Sequence, residues 1–527
     1  MPIPITQAQF NSSRKLRFKA YETDLAEQRG VAASYGAAIV LLVLAVSPPL
    51  LLTLGPAALA FPALVAAILF IASPATVPPL LLGACVFQNL AIAIWVSPTA
   101  TVAEINAARA LSFVVTLACF CTAVFCAMAW RWRFSLSEAR LIRWCALCLA
   151  VVALFTAVGA AIAGPAGALT YARNMGLAPI SLIIGLAVGR QQKSAGMGWF
   201  TVAFTMLLAL GYSELVFREA FYTLVGMDEF LLRVTERAAD IQYRYFLGFS
   251  QWLKAQETVL FNDPNLALSG LRTVRLQGPT AHPISFGYAL VITSLPLMAR
   301  APLLAALLQL PIQYGINSKG AFLLLLLCLA VRLAASVLLR TPRWTRASAI
   351  IGVWALVAAS GVVLGLQHGD FHVLGFLGGF KALIANPLGH GIGTAGNLTE
   401  AGINGQIDWG TLQRAGAADR GIESAIGVLV DQLGVFALAY LSLCVAVLRR
   451  LMARNDVMSL IVFSAVVGLL ANGVLQEEAL FSPSSAGLLF FLVGMIIAVR
   501  QKPGFVGAAP AFTYDAGSRP VGASKPA

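Results

Sequence analysis

Apolar runs long enough to cross a lipid bilayer recur along this 527-residue chain from residue 31 to residue 499. The hydrocarbon layer that such a run must cross is about 30 Å thick. Hydrophobic residues make up 59% of the sequence and charged residues only 11%, and the mean hydropathy is +0.82. A soluble globular protein is about one-quarter charged. The sequence therefore predicts an all-α polytopic membrane protein.

The distribution of Lys and Arg between the apolar runs predicts the topology, because positive charge concentrates in cytoplasmic loops. We predict about fourteen transmembrane helices, at 31–48, 50–72, 78–96, 109–130, 144–163, 177–189, 199–217, 283–299, 301–316, 320–339, 347–365, 425–448, 457–474 and 484–499. The basic clusters are Arg131/Arg133/Arg140/Arg143, Arg190/Lys193, Arg340/Arg343/Arg346, Arg449/Arg450/Arg454 and Arg500/Lys502. With a cytoplasmic N-terminus, every cluster falls on the cytoplasmic side and both termini are cytoplasmic.

The two ends of the chain differ from the apolar body. Residues 1–30 are polar and of mixed charge, and they lack the apolar core and cleavage site of a signal peptide. We interpret them as a cytoplasmic segment that lies on the membrane. Residues 500–527 are rich in Pro, Gly, Ala and Ser, a composition typical of disorder. The body, residues 31–499, is predicted to be a single membrane domain.

Two long polar segments, at about 218–282 and 366–424, fall on the outer side in this topology. All four histidines of the chain (His282, His368, His372 and His390) lie in these segments or at their edges. The eight cysteines lie in or beside apolar runs, where small buried apolar residues are expected rather than disulfides or metal ligands. We therefore expect the functional site on the outer face.

The first outer loop and the junction after it contain candidate anion-binding residues. Arg272 and Arg275 are three residues apart, so a helical turn would place both on one face. A guanidinium group matches phosphate oxygens bidentately. Lys319 is an isolated cation on the outer side, where positive charge is disfavoured. The alternatives are salt bridges to nearby acids or contacts with lipid headgroups for the arginines, and extension towards the interface for Lys319.

The second outer loop contains the letters G-x-G-x-x-G at Gly391–Gly396, a pattern also found in dinucleotide-binding turns. Leu374, Leu377, Phe380, Leu383 and Ile384 have helical spacing and predict an amphipathic helix that ends near Asn386-Pro387. A dinucleotide-binding turn follows a strand and opens a helix. Here the glycines follow a helix and face away from cytosolic cofactors, so we expect them to form a tight turn that approaches a glycan or diphosphate.

Further along the second loop, charged residues come to the start of a predicted span. They are Arg414, Asp419, Arg420 and Glu423. Glu423 could act as a general base or bind a sugar hydroxyl, or could be a solvated carboxylate favoured by the helix dipole. Asp431, two turns deeper, is either structural or lines a cavity.

These stretches, in this order, resemble the O-antigen ligase/polymerase superfamily of bacterial envelope glycosyltransferases. The matching pieces are RLQGPTAHPISFGYAL, NSKGAFLLLLL, HVLGFLGGFKALIANPLGHGIGTAGN and IESAIGVLVDQLGVFAL, within about residues 270–440. The resemblance implies an all-helical membrane glycosyltransferase of the GT-C type with two large periplasmic loops, in the bacterial inner membrane. It also implies undecaprenyl-diphosphate-linked oligosaccharides as donor and acceptor, with no metal, nucleotide or other cofactor and no nucleic acid.

Within this resemblance, Arg275 and Lys319 match the family positions that stabilise the lipid-diphosphate leaving group. Ligases carry a His-Asn pair where this chain has Glu423-Ser424, which favours a polysaccharide polymerase for capsule, exopolysaccharide or O-antigen over a ligase that acts on lipid A-core. The predicted catalytic residues are thus Arg275, Lys319 and Glu423. The predicted substrate-binding residues are Arg272, His282, His372, His390, Arg414 and Arg420.

Other possibilities remain open at this point. The general base could be Glu423 or His390. A lipid-linked glycan flippase would need charged residues inside the helical bundle. A non-catalytic assembly scaffold would tolerate the loss of Arg275 or Lys319. Membrane lipid, a chain-length regulator and a flippase are the further partners that the resemblance implies.

Overall fold

The computed structural model of the protein describes residues 38–51, 53–96, 100–129, 134–191, 195–234, 257–259, 272–399, 411 and 414–499. The predicted N-terminal segment, residues 1–30, and the predicted disordered tail, residues 500–527, lie outside these ranges.

The described chain is helical apart from one small sheet. The first half contains α1 (Ala38–Leu51), α2 (Ala60–Ala72), α3 (Val77–Trp95), α4 (Val102–Ala108), α5 (Leu111–Met128), α6 (Leu136–Ala163), α7 (Pro165–Gln191), α8 (Ala195–Val225), α9 (Met227–Val234), β1 (Glu257–Val259) and β2 (Arg272–Val274). The second half contains α10 (Pro283–Arg300), α11 (Pro302–Ile316), α12 (Lys319–Leu333), α13 (Ala335–Leu338), α14 (Arg343–His368), α15 (Phe371–Ala385), α16 (Ala425–Leu433), α17 (Ala437–Met452), α18 (Val457–Asn472), α19 (Glu477–Phe481) and α20 (Leu488–Ala498).

Eight helical stretches in the described part are long and apolar enough to cross a membrane, so the protein is membrane-embedded. They are Gly55–Ala72, Pro74–Trp95, Glu104–Met128, Leu136–Ala163, Pro165–Arg190, Gly196–Val225, Arg343–His368 and Ala425–Met452. Each of the other six predicted spans also contains a helix, but these helices are shorter or more polar.

Helix ends follow recognisable sequence signals. The N-cap Ser135 of α6 accepts a hydrogen bond from the backbone of Glu138, whose side chain accepts one from Ser135 N in return. This capping box starts α6 eight residues before the predicted boundary. At its other end, Gly164 has φ 88° and Pro165 begins α7 immediately. These two helices are therefore longer than their predicted spans.

Helix α7 is the most deeply buried of the eight long helices and packs closely against α20. Gly185 and Gly189 form a G-x-x-x-G pair on α7, and Gly494 faces them from α20. A Cβ at any of these positions would collide with the backbone of the opposite helix. Small residues at this spacing allow helix backbones to approach closely in a membrane.

The described basic clusters gather at one end of the bundle, which we call the basic end. Arg190 at the end of α7 pairs with Glu138 at the start of α6, with 3.4 Å between Nε and Oε2. Arg346 at the start of α14 donates to the carbonyl of Met452, at 2.9 Å. Arg454 donates to the carbonyl of Val499 at 3.0 Å, so the last helix ends there too.

The predicted outer loops contain regular structure. The first begins with the extension of α8 and with α9, and it includes an antiparallel sheet in which Glu257 pairs with Val274 and Val259 with Arg272. The second contains α15, which confirms the predicted helix and its end at Asn386. The face that α15 buries consists of Val373, Leu374, Gly375, Gly378, Gly379 and Ala382. Leu377, Phe380 and Ile384, expected on the packed face, are exposed instead.

Candidate functional site

Three junctions that lead into helices at the end opposite the basic end share an unusual backbone. Ala281, Asn317 and Glu423 are the three described non-glycine residues with positive φ, at 52°, 57° and 52°. Each is followed by the N-cap residue of a helix, namely α10, α12 and α16. The left-handed region is unfavourable for residues with a Cβ, and such strain persists where the surrounding structure enforces it.

All three helix starts meet the segment that joins α18 to α20. The contacts join His282 Nε2 to Glu478 Oε1 (3.8 Å), Asn472 Nδ2 to Gly320 O (2.9 Å) and Ile426 N to Gly473 O (3.0 Å). Segments 281–283, 317–320 and 423–426, far apart in the sequence, therefore form one region around residues 472–478.

This region contains the main concentration of ionisable side chains away from the basic end, which we call the charged cluster. Its members are Arg109, Arg173, Arg275, His282, His372, Glu423, Glu477 and Glu478. The charges of these residues influence one another's ionisation. It is open to solvent in part, because His282 and His372 retain 45% and 35% of their side-chain exposure.

The cations of the charged cluster come from three different parts of the chain. Arg109 caps the C-terminus of α4, Arg173 lies in the first third of α7, and Arg275 follows β2. Arg109 and Arg173 are close enough for their like charges to repel. Among the described residues, none of the three forms an ion pair with a carboxylate within 4 Å. Their positive charge remains available for an anion.

His282 joins the cations to the acids. Its Nδ1 accepts a hydrogen bond from Ser285 N at 3.4 Å as the N-cap of α10, and its Nε2 points towards Glu478. Burial lowers the pKa of His282; the nearby Glu478 carboxylate opposes this shift, and Arg275 adds to it. The neutral imidazole is therefore favoured near pH 7.

Glu423 and His372 form the pair closest to the start of α16. Nδ1 of His372 lies 3.3 Å from Oε2 of Glu423. Burial raises the pKa of Glu423, and its acidic neighbours Glu478 and Asp370 raise it further, while His372 opposes the shift. A raised carboxyl pKa suits a general base, since proton transfer is most efficient when the pKa approaches the working pH.

Glu477 and Glu478 start the short helix α19. Glu477 is only 4% exposed, and its Oε2 accepts a hydrogen bond from Asn397 N at 3.3 Å. Glu478 retains 29% of its side-chain exposure and faces His282. Burial raises the pKa of Glu477 to about 8. The two adjacent carboxyl groups thus have different environments, one enclosed and one open.

A buried carboxylate on α8 holds the loop that carries Arg275 and His282. Glu214, fully buried, accepts hydrogen bonds from the backbone N–H groups of Gln277 and Gly278, both at 2.8 Å, and from the Tyr222 hydroxyl at 2.5 Å. One turn later, Arg218 donates to the carbonyl of Val274 at 2.9 Å. Helix α8 therefore fixes the chain on both sides of Arg275.

The glycine-rich turn packs against the protein itself, which corrects the expectation that it approaches a substrate. Gly389, Gly391, Gly393 and Gly396 all have φ between 82° and 94°. A Cβ at Gly391 would collide with Gly159 on α6, and one at Gly393 would collide with Ala168 on α7. The glycines allow this segment to pass between α6, α7 and α16, and it carries Asn397 to the charged cluster.

His390 and Arg420, predicted to bind substrate, both contact Asp431 beside this turn. Nδ1 of His390 lies 2.9 Å from one carboxylate oxygen of the fully buried Asp431. The other oxygen accepts from Gly421 N at 2.7 Å and lies 3.5 Å from Nε of Arg420. Asp431 therefore joins the turn to the start of α16, and the roles predicted for His390 and Arg420 stay predictions.

Three further predicted residues are exposed and form no ion pair with the described members of the charged cluster. Arg272 is exposed on β2, and because residues 272–274 form a strand, the expected helical turn with Arg275 is wrong. Lys319 is exposed at the start of α12, without an ion pair to any described residue. Arg414 is exposed and donates to the Thr411 hydroxyl at 3.0 Å.

The structure adds residues that the sequence interpretation missed. Arg109, Arg173, Glu477 and Glu478 all lie at short junctions that the predicted topology places on the outer side. Glu214 lies inside a predicted span, where an ionisable residue indicates function. Charged residues in the short outer junctions therefore indicate this site in the sequence, in addition to those in the long outer loops.

No group of three or more His, Cys, Asp or Glu side chains in the described ranges is arranged to hold a metal ion. The cluster instead offers guanidinium groups for an anion and carboxyl groups for hydroxyl donors. Comparison of the chain with protein-family models, with curated proteins and with solved structures finds no match.

Proposed function

We propose that this protein is a polysaccharide polymerase that joins undecaprenyl-diphosphate-linked oligosaccharide repeat units, a membrane glycosyltransferase of the GT-C type. The observation that carries the proposal is the charged cluster, where three arginines without carboxylate ion pairs among the described residues lie beside three carboxyl groups. Such a site suits a substrate with a strongly anionic leaving group and a hydroxyl nucleophile.

The arginines are suited to the diphosphate of the donor. Arg109 and Arg173 repel each other, and burial lowers the pKa of Arg275, so a bound dianion relieves a cost that these side chains bear without it. As the glycosidic bond breaks, negative charge grows on the diphosphate oxygen. Cations fixed beside that oxygen stabilise the transition state. This assigns the leaving group to Arg109, Arg173 and Arg275, and Lys319, exposed on the adjoining segment 317–320, keeps its predicted role beside them.

Glu423 is our candidate for the general base. The acceptor hydroxyl attacks the anomeric carbon of the donor, its proton passes to the Glu423 carboxylate, and the bond from the anomeric carbon to the diphosphate oxygen breaks. Attack from the face opposite the leaving group inverts the anomeric configuration. His372, 3.3 Å from Glu423, orients the carboxylate and can accept the proton afterwards.

Two other functions are alternatives to the polymerase. A ligase would transfer the glycan to lipid A-core, and the Glu423-Ser424 pair speaks against it because ligases carry His-Asn there. A flippase would move lipid-linked glycans without forming a bond. Glu214 is a charged residue inside the bundle, as a flippase would need. Both of its carboxylate oxygens, however, accept hydrogen bonds from the protein itself, so Glu214 does not offer a binding site for the glycan.

The proposed setting is the bacterial inner membrane, with the charged cluster facing the periplasm and both termini in the cytoplasm. The grouping of Arg190, Arg346 and Arg454 at the opposite end supports this orientation, because positive residues favour the cytoplasmic side. A chain-length regulator and a flippase are the proposed protein partners.

The test uses the full-length protein in nanodiscs. The substrate is the lipid-linked glycan fraction from a strain of the source bacterium in which the gene is deleted. A polymerase produces a ladder of products on a gel. Transfer only to added lipid A-core would establish the ligase instead. An absence of any product, together with transbilayer movement of the lipid-linked glycan in liposomes, would establish the flippase and refute the enzyme.

A further inference from the structure

Glu477 lies outside the stretch that resembles the glycosyltransferase superfamily, yet it adjoins the proposed base. It is 4% exposed, and its Oε2 accepts one hydrogen bond, from Asn397 N. Its Oε1 is buried without a hydrogen bond to a described residue, although the Tyr171 hydroxyl interacts with the carboxyl group and favours its ionised form. No Lys or Arg of the described chain lies within 4 Å of this carboxyl group. A buried, ionised carboxylate without a cation is strongly disfavoured.

Asn397 connects Glu477 to Glu423. Its backbone N–H donates to Glu477, and its side chain forms a hydrogen bond with Glu423. Its Oδ1 is the second buried acceptor at this place that has no donor among the described residues. Buried polar atoms in native proteins are nearly always hydrogen-bonded. A protonated Glu477 carboxyl would place a hydroxyl donor among these buried acceptors, whereas an ionised carboxylate only accepts.

The charged and titratable groups around Glu477 come from three elements. Tyr171 faces it from α7, Glu478 follows it on α19, and Glu423 approaches from the junction before α16. None of these groups is a cation. Burial raises the pKa of Glu477 most, the hydrogen bonds from the Tyr171 hydroxyl and Asn397 N oppose this shift, the carboxylates of Glu478 and Glu423 add to it, and the resulting pKa is about 8. The burial of Glu477 away from any described cation and its raised pKa therefore both favour the neutral carboxyl group.

We propose that Glu477 carries a proton at neutral pH and, through Asn397, keeps Glu423 as the ionised carboxylate that faces the acceptor. Glu477 is thus a positioning residue: it acts through Asn397 and Glu423 and does not touch the reacting atoms. This role in catalysis rests on the proposed function, whereas the protonation of Glu477 does not.

The protonation of Glu477 should make donor binding depend on pH in the alkaline range. As the pH rises through the pKa of Glu477, about 8, the cluster gains a buried negative charge beside the site for an anionic donor. If only the protonated form binds the donor, the apparent KM rises about tenfold at one pH unit above the pKa, in proportion to the loss of the competent fraction. Glu477→Gln removes this titration, because its amide matches the neutral acid in shape.

The first experiment is independent of activity. Infrared spectra of the wild-type protein in nanodiscs should contain the carbonyl stretch of a protonated carboxylic acid at pH 7. This band should disappear as the pH is raised past about 8 and should be absent at pH 7 from Glu477→Gln. Glu229→Gln, which removes an ion-paired carboxylate on α9, should retain it. An unchanged band in Glu477→Gln would overturn the proposal.

The second experiment measures the pH dependence of ladder formation. Glu477→Gln should lack the alkaline rise in KM, while Glu229→Gln should show the same rise as the wild type. A loss of about 10²-fold or more at pH 7 in a folded Glu477→Gln protein, the effect of losing an acid or base group, would overturn the positioning role. If the wild type forms no ladder, the polymerase fails, and the infrared band still decides the state of Glu477.

Discussion

The two ends of the helical bundle both carry arginines that are at least partly buried, but the arginines have different partners. At the basic end, Arg346 is 5% exposed and donates to Asn455 Oδ1 at 2.6 Å and to the carbonyls of Met452 and Arg454 at 2.9 and 3.0 Å. In the charged cluster, the hydrogen bond of Arg275 within the described part of the chain is to the carbonyl of Ile316, at 3.2 Å. Among the described residues, the protein thus provides three acceptors for one guanidinium and one acceptor for the other.

This difference distinguishes arginines that stabilise the fold from arginines that are available to bind a ligand. The carbonyls that Arg346 and Arg454 bind are those left free at helix ends, so these arginines act as C-terminal caps. The polar cavity of about 250 Å³ at the basic end is lined by Arg190 and Arg454, and each of them pairs with an acid of its own chain. Arg109 and Arg173 lack such partners among the described residues. The comparison predicts that substitutions at the two ends affect different properties.

The largest expected effect is that of Arg275→Ala. Removing a fixed charge that stabilises the leaving group should reduce ladder formation by about 10²–10³-fold. The matched control is Arg272→Ala, because Arg272 lies three residues away but is exposed on β2. Rates in nanodiscs should separate the two variants at equal expression. Equal losses in both would remove Arg275 from its assigned role.

A smaller loss is expected from Arg109→Ala or Arg173→Ala. A hydrogen bond to a charged group contributes about 1.5–3 kcal/mol, which corresponds to roughly 10- to 150-fold in donor affinity. Since both arginines are proposed to bind one diphosphate, the double variant should lose less than the product of the single losses. A double-mutant cycle on KM tests this. Strict additivity would indicate two separate sites.

Glu214→Gln should have an indirect effect. The amide cannot accept from both Gln277 N and Gly278 N, so the loop carrying Arg275 shifts. Displacement of a catalytic group by about 1 Å can cost as much as about 10²-fold in rate. We expect a lower kcat and a loss of about 1–3 kcal/mol of stability, measured by thermal unfolding. A normal kcat in a destabilised protein would show that Glu214 does not position the loop.

The smallest effect on activity is expected at the basic end. Arg346→Ala removes three hydrogen bonds that cap α17, so it should cost about 1–3 kcal/mol of stability. Ladder formation at a temperature well below unfolding should be unchanged. A loss of activity comparable to that of Arg109→Ala would show that the arginines at the basic end are not purely structural.

The sequence predicted the membrane class and the helices well, because both follow from the apolar runs and from local signals. The helix at Phe371–Ala385 and its end at Asn386 are examples. The sequence did not predict which face of that helix packs. The glycines and Ala382 form the buried face because their small size lets α15 approach α16, whereas an apolar pattern alone cannot distinguish a protein-facing from a lipid-facing leucine in a membrane.

The site was predictable only in part, because the sequence does not show which distant segments pack together. Arg275, His282, His372 and Glu423 lie on long polar segments where charge is conspicuous, and the structure brings them together. Arg109, Arg173 and Glu477 come from junctions up to about 370 residues apart, so only the tertiary packing joins them. The contact between His390 and Asp431 was also not predicted, because Asp431 lies 41 positions away on another helix.

The most direct measurement is a structure of the wild-type protein in nanodiscs with added undecaprenyl diphosphate. We predict that the diphosphate lies within hydrogen-bond distance of Arg275 and of at least one of Arg109 and Arg173, with its terminal phosphate, which carries the glycan in the donor, on the side of Glu423. A diphosphate bound at the basic end next to Arg190 and Arg454, with the charged cluster unchanged, would contradict it.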